Sequence, residues 1–312
     1  MINVILEPKS SKNIIATIAI GSQYQYNWIT HAEPNWKEYC IKHDLGLIVV
    51  TDDLIPKNDS HWKKANWQKM LLGQAIKNLN KGIKNVCHID TDFIINPLAP
   101  NVFDNIDLSR ISIVSQEKNL PFDDKLVKRK ISFYRNKYYD KKYPLDSAIF
   151  MSPNDLSKHH NCPPIDDYAC SGFFIFNIQK HTKKLEDIFY KYPSNVKSIT
   201  NGGDEFHFNY EVQKNFKINW LNYKFQALWI YEMAAYYPFL YKNENQKNFD
   251  LIKACVQTSL ENNYFLHFAG SWNESKMWLI ENLLYDFNSD KSEFKLYLSQ
   301  KVTGKSKGQI KP

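Results

Sequence analysis

Two carboxylates sit one residue apart at the end of an apolar run, in Val86-Cys87-His88-Ile89-Asp90-Thr91-Asp92-Phe93-Ile94-Ile95. If Val86 to Ile89 form a buried strand, Asp90 and Asp92 lie near its carboxyl edge, where open α/β sheets bind ligands. Carboxylates this close repel each other and cost free energy to desolvate. A divalent cation removes both penalties, so Asp-x-Asp after a hydrophobic strand predicts a Mn²⁺ or Mg²⁺ site. The competing reading is a surface loop with two solvated acids. The apolar residues on both flanks oppose it.

Four further pieces carry chemistry. His267 lies in Tyr264-Phe-Leu-His-Phe-Ala-Gly270, a strand-like run with a Gly stop. An imidazole at a strand end can supply a neutral nitrogen to a borderline metal, although a lone His in an apolar strand is more often a hydrogen-bonded core residue. His88 calls for the same caution and is expected to pack or bond locally. In Asn201-Gly-Gly-Asp204-Glu205, Asp204 is placed to cap a following helix. The functional alternative is a carboxylate facing a reacting carbon, with Glu205 as nucleophile or as stabiliser of positive charge. In Cys170-Ser171-Gly172 the missing Cβ allows close approach of a ligand or of another backbone. Gly21-Ser22-Gln23-Tyr24 follows the first predicted strand, so its loop faces the ligand crevice and Tyr24 can stack on a base. Neither a Rossmann G-x-G-x-x-G nor a P-loop is present.

The elements that must position these residues alternate. Ile14 to Ile20, Leu45 to Val50 and Val86 to Ile89 read as buried strands. Tyr26 to His43 and His61 to Leu79 read as helices between them. This order predicts an α/β fold with a mostly parallel sheet, right-handed crossovers and flanking helices. Ile111 to Val114 and Ser171 to Ile178 are further strands. Lys180 to Tyr192, Asp204 to Lys214 and Lys276 to Tyr285 are further helices. Ile218 to Trp220 and Phe225 to Tyr231 read as short β-like segments. Pro121 to Pro164 is polar and basic, an inserted loop region over the active face with a short helix from Asp123 to Tyr138. Trp220 to Tyr241 is rich in aromatics that serve either as acceptor platforms or as core.

Composition bounds the rest. The 312 residues include 8 Trp, 19 Tyr and 19 Phe, enough for real cores. The net charge is +7, spread through Lys-rich stretches, and no nucleic-acid motif accompanies it. The expectation is a solvated basic surface with no nucleic-acid partner and at most peripheral membrane association. Five scattered cysteines without Cys-x-x-Cys argue against a disulfide framework or zinc knuckle. With no apolar run of membrane-spanning length and no signal-peptide shape, a cytoplasmic location is expected.

Taken in order, these pieces resemble GT-A-fold glycosyltransferases, and among them the retaining glycogenin-like and galactosyltransferase-like families, over roughly residues 14 to 290. Ile89-Asp90-Thr91-Asp92 is similar to the family's Asp-x-Asp. Cys170-Ser-Gly-Phe-Phe-Ile-Phe-Asn177 resembles its Asn-Ser-Gly strand, with Cys170 where Asn is usual. Asp204-Glu205 resembles an Asp-Gln pair opening a helix, with Glu205 in place of Gln, and Phe208-Asn209 resembles the Leu-Asn that follows. His267-Phe-Ala-Gly270 is similar to the late His-Phe-x-Gly. The family often continues with Lys-Pro-Trp, whereas here Ser271-Trp272-Asn273-Glu274-Ser275 leads to Lys276 at a different offset.

The resemblance implies a metal-dependent transfer of sugar from a nucleotide-sugar, most often a UDP-sugar, to a glycan or other hydroxyl acceptor, with retention. It implies Asp90, Asp92 and His267 as ligands to Mn²⁺ or Mg²⁺, and Glu205 and Asp204 as catalytic carboxylates. The donor contacts it implies are Gly21, Ser22, Tyr24, Lys69, Asp90, Thr91, Ser171, Gly172, Gly270 and Lys276. One catalytic domain is expected over 1–290, with a nucleotide-sugar half at 14–116, an acceptor and metal-completing half at 165–290, and a basic tail at 291–312. The alternatives are a non-catalytic nucleotide-sugar-binding pseudo-transferase and a haloacid-dehalogenase-type phosphatase, whose own Asp-x-Asp is normally followed by Thr or Val where Ile94 stands here.

Overall fold

A computed structural model describes residues 1–139, 147–196 and 203–279. The chain begins with strand β1 (Ile2–Leu6), then β2 (Asn13–Ile18), helices α1 (Ser22–His31) and α2 (Glu33–Lys42), and β3 (Gly46–Val50). Helices α3 (Ala65–Gln68) and α4 (Leu72–Lys77) lead to β4 (Asn85–Ile89), β5 (Phe93–Ile95) and β6 (Ile111–Val114). Helices α5 (Asp124–Tyr138) and α6 (Pro153–His159) precede β7 (Phe173–Asn177), α7 (Ile178–Lys191), α8 (Glu205–Asn215) and β8 (Ile218–Leu221). The last elements are β9 (Ala227–Leu228), α9 (Trp229–Tyr236), α10 (Phe249–Asn262), β10 (Phe265–His267) and α11 (Trp272–Ser275).

Seven strands form the main sheet in the order β1-β3-β2-β4-β7-β6-β8. β2 pairs in parallel with β3 and β4, and β6 with β8. β7 runs antiparallel to both β4 and β6, and β1 antiparallel to β3. The α/β class is as expected, and five of the seven strands run one way. The strand most consequential for the site, β7, opposes them.

The strands read as continuous apolar runs because both faces of the sheet are covered. The period of two sorts them. Phe173 and Ile175 face Trp28, Trp36 and Tyr39 of α1 and α2. Phe174 and Phe176 face Met70, Leu185, Phe189 and Phe208 on the other side. A second sheet, β5-β10-β9, packs with α5, α9 and α10 in a separate core.

Several expectations need correction. The helix read over Tyr26–His43 is two helices meeting at Ala32, with Pro34 in the first turn of the second, where its missing N–H costs nothing. The helix read over His61–Leu79 is interrupted by a 3₁₀ turn at Lys69–Leu71. Phe225–Tyr231 holds only the two-residue β9 before turning into α9. In the insertion, α5 lies where predicted, capped by Asp123 accepting from Leu126 N–H at 2.9 Å, and α6 is an additional helix. Lys276 does not open a helix but closes α11 in the left-handed region at φ 54°. Residues 277–279 continue as turn, and the rest of that expected helix from 280, the tail at 291–312, Asn201 and Gly202 lie outside the described residues. β1 and α10 have no counterpart in the sequence reading. All five cysteines are free. Among the described residues no helix is long and apolar enough to cross a membrane.

Candidate active site

Two strand registers assemble the centre of the site. Beyond the Ile89–Phe173 pair of β4 and β7, the Asp90 N–H donates to the Gly172 carbonyl at 2.9 Å. Asp90 therefore lies against the Cys170-Ser171-Gly172 turn. β5 begins directly after Asp92 and pairs with β10, Phe93 opposite His267. The Phe268 N–H donates to the Asp92 carbonyl at 3.0 Å. The His267 ring stacks on Phe93, with centroids 4.0 Å apart and planes at 15°. Its Nε2 ends 3.2 Å from Asp92 Oδ1. One ligand atom each from Asp90, Asp92 and His267 falls within 4.8 Å of the others.

These three residues fit a divalent cation. His267 Nε2 is buried and, despite its distance from Asp92, makes no hydrogen bond. A buried polar atom without a partner calls for an explanation, and a ligated ion supplies one. A Cβ on Gly172 would lie 2.5 Å from His267 Cε1 and 2.8 Å from Asp90 Oδ2, so any side chain there would intrude on the cradle. Two carboxylate oxygens and one imidazole nitrogen suit Mn²⁺, and Mg²⁺ less fully because it favours oxygen.

The surrounding charges keep Asp90 ionised. Burial raises its proton affinity, but the Lys69 ammonium and a hydrogen bond from His88 Nε2 at 3.1 Å outweigh burial and hold the carboxyl well below its usual range. Burial lowers His88, so its imidazole is neutral and donates through Nε2. Lys69 is 1% exposed and donates to Ser171 O at 2.7 Å and Ser171 Oγ at 3.0 Å, with Asp204 Oδ2 at 3.1 Å. Although burial opposes its charge, Asp204 and Asp90 keep it protonated. Three oxygens already engage this ammonium, so a ligand phosphate would have to share it.

Asp204 does not cap α8 as the capping reading expected. Its backbone is helical, at φ −87° and ψ −16°, and its side chain makes no cap hydrogen bond. The carboxylate turns instead to Lys69. Asn209 fixes this end of α8: its side chain donates to Ala169 O at 2.6 Å and accepts from Ala169 N–H at 2.8 Å. That pair ties α8 to the segment entering Cys170, and so sets Asp204 and Glu205 beside the turn that holds Asp90.

The cleft over this floor measures about 550 Å³. Of the residues expected in the site it gathers Tyr24, Lys69, Asp90, Thr91, Asp92, Ser171, Gly172, Asp204, Glu205, His267 and Gly270. Gly21, Ser22 and Lys276 are not among its lining residues: Gly21, at φ 102°, and Ser22 start α1, and Lys276 sits past α11. A smaller cavity of about 80 Å³ adjoins it, and Glu205, Cys170, Ala269 and Gly270 line both. Gln116, Glu117, Arg135, Tyr168 and Tyr231 also line it. Of the aromatics in Trp220–Tyr241, Tyr223, Trp229, Tyr231 and Tyr241 are core, whereas Trp220, Tyr236 and Phe239 are exposed.

Two site residues escaped the sequence reading of function. Trp272 donates its indole N–H to Asp92 Oδ2 at 2.6 Å. Gln226 donates to Cys170 O at 3.1 Å and approaches His267 Nδ1 at 3.3 Å. The change from the expected Lys-Pro-Trp at Ser271-Trp272 signalled the first. Nothing in the apolar surroundings of Gln226 signalled the second.

No protein-family model matches the chain, and no curated protein sequence does. Solved structures do. One is a glycosyltransferase involved in the glycosylation of the major capsid of PBCV-1, at 10% identity and TM-score 0.47, covering 86% of this chain and 100% of that one. The bifunctional glycosyltransferase WbbM matches at 11% and 0.45, over 90% of this chain and 52% of its own. An active-site mutant of LgtC matches at 12% and 0.41, over 82% and 86%. In backbone path the chain resembles these glycosyltransferases.

Proposed function

We propose that the chain is a GT-A-fold glycosyltransferase that uses Mn²⁺ or Mg²⁺ to move a sugar from a nucleotide-sugar, of UDP type, to a hydroxyl of a glycan or other acceptor, with retention. One observation carries this reading: Asp90, Asp92 and His267 converge on one wall of a 550 Å³ cleft whose junction with a second cavity is lined by Glu205. Such a layout suits a diphosphate held at the carboxylates and a sugar carbon presented between two chambers.

Asp90, Asp92 and His267 would hold the cation, which neutralises charge on a departing diphosphate. Tyr24 lines the same cleft, edge-to-face with Trp272 at 6.3 Å, and would offer a face for the base. Glu205 faces the region where positive charge develops on the sugar, and a carboxylate there stabilises an oxocarbenium-like state or attacks it. Lys69 neutralises Asp204 and holds Ser171, which keeps the floor rigid while the carboxylate edge of Asp204 is offered to sugar hydroxyls. The acceptor hydroxyl would enter by the smaller cavity. The test is a panel of UDP-, GDP- and CMP-sugars with Mn²⁺, read as free nucleotide with and without EDTA. Release confined to UDP-sugars and lost with EDTA is the expected result. Absence of release from every donor, or release indifferent to EDTA, would overturn the reading.

A further inference from the structure

The two acidic residues share a feature that bears on how each would ligate. Each carboxylate has one oxygen held by a protein N–H. His88 Nε2 takes Asp90 Oδ1 at 3.1 Å. The Trp272 indole takes Asp92 Oδ2 at 2.6 Å. What remains is Asp90 Oδ2, facing the Gly172 cradle, and Asp92 Oδ1, 3.2 Å from His267 Nε2. The oxygens left over are the ones that face the imidazole.

We propose that Trp272 is a positioning residue for the cation site: its indole N–H holds Asp92 to one-oxygen ligation through Oδ1. The proposal rests on the cation reading above. Asp92 is 4% exposed and Trp272 38% exposed, so the bond closes the solvent side of a buried carboxylate. Trp272 is itself immobilised. Ser271, just before it, donates both its N–H and its hydroxyl to Phe268 O, at 3.0 and 2.9 Å. Glu274, two residues on, is in a buried pair with Arg135 of α5 at 2.6 Å, and the same guanidinium donates to Gly270 O at 2.8 Å. The inserted helix α5 thus braces the loop that aims the indole. An outer donor of this kind orients a ligand and tunes its affinity for metal.

The test is Trp272→Phe, which removes the donor and keeps an aromatic ring at a partly exposed position. Mn²⁺ binding is measured directly, by the loss of the free-ion EPR signal on titration, without nucleotide or acceptor. The expected result is about a tenfold or greater rise in the Mn²⁺ dissociation constant, with the melting temperature in EDTA held at the parental value. Trp278→Phe is the control for aromatic packing: Trp278 meets Trp272 edge-on, centroids 6.2 Å apart, and is not one of the residues lining the cleft, so its Mn²⁺ affinity is expected to be parental. Parental affinity in Trp272→Phe, or an equal loss in Trp278→Phe, would overturn the positioning role while leaving the transferase reading intact. A parent protein that binds no Mn²⁺ would overturn both.

Discussion

Gly172→Ala tests the cradle most directly. Gly172 is not one of the glycines at positive φ, so its backbone does not require glycine. Only the space around it does. The added Cβ would meet His267 Cε1 at 2.5 Å, Asp90 Oδ2 at 2.8 Å and His267 Nε2 at 3.1 Å. The first contact is roughly 1 Å or more inside ordinary van der Waals separation. The imidazole has little room to withdraw, since Phe93 stacks on its face and Gln226 stands behind it. Asp90 is the group that can move, and moving it breaks the His88 bond. Overpacking of this kind costs about 1–3 kcal/mol. The stiffer unfolded chain returns about 0.4–1 kcal/mol. Net destabilisation is therefore small, below about 3 kcal/mol, which a folded protein of this size tolerates. The cation site takes the larger effect, with Mn²⁺ affinity falling about 10- to 100-fold as ligands lose their orientation. Mn²⁺ titration alongside thermal melting in EDTA separates the two quantities. An alanine variant that binds Mn²⁺ as tightly as the parent would refute the argument that this glycine exists to leave room for a metal.

Three further outcomes follow from the same geometry. Glu205→Gln should lower transfer from a UDP-sugar by about 100-fold or more, as expected for losing a charge aimed at the transition state; near-parental turnover would remove Glu205 from any obligate role. Lys69→Met leaves Asp204 buried without its counter-charge and should cost about 3–5 kcal/mol in a urea melt, most of it recovered when Asp204→Leu is added; additive losses would show that the pair is not coupled. Burial, followed by the neighbouring His160, pushes His207 down from 6.5 to about 4. The unfolded chain then binds more protons between those values, so stability should fall as pH drops through that window. His207→Phe should flatten the fall, and an unchanged slope in the variant's melting temperatures would assign the acid loss elsewhere.

What the sequence made legible follows from which interactions are local. Strands buried on both faces are unmistakable as apolar runs, and β2, β3, β4, β6 and β7 were read from them. Asp90 and Asp92 were read because a charge pair at a strand end is itself a chemical statement. The interruption at Lys69–Leu71 was not legible, because the apolar spacing of a helix survives a short 3₁₀ turn almost unchanged. α10 was missed for a different reason. Its N-cap Asn248 accepts from Leu251 N–H at 3.0 Å and its buried stripe is Ile252, Cys255, Val256, Ser259 and Leu260, a pattern available in the sequence and not used. The Asp204 cap reading failed because a buried ammonium outcompeted the backbone N–H groups of the first turn of α8 for the carboxylate, a choice made only once Lys69 arrives from another element.

The orientation of β7 shows why the site could be anticipated residue by residue but not as an arrangement. A parallel β7 would present Asn177 and the end of its strand beside Asp90, with Ser171 and Gly172 at the far edge of the sheet. The antiparallel register instead sets Phe173 opposite Ile89 and delivers the glycine to the carboxylate. In the same way, β10 meets β5 with His267 opposite Phe93. Successive side chains in a strand point to opposite faces, so a slip of one residue would turn His267 away and present Leu266 or Phe268 to Asp92. No local signal encodes that register. It is held by the apolar neighbours Leu266 and Phe268, buried with Trp229 and Ile230 in the core shared by α5, α9 and α10. The placement of His267 thus depends on hydrophobic residues outside the group Asp90, Asp92 and His267, and the inserted segment joins the support of this region through the Arg135–Glu274 pair.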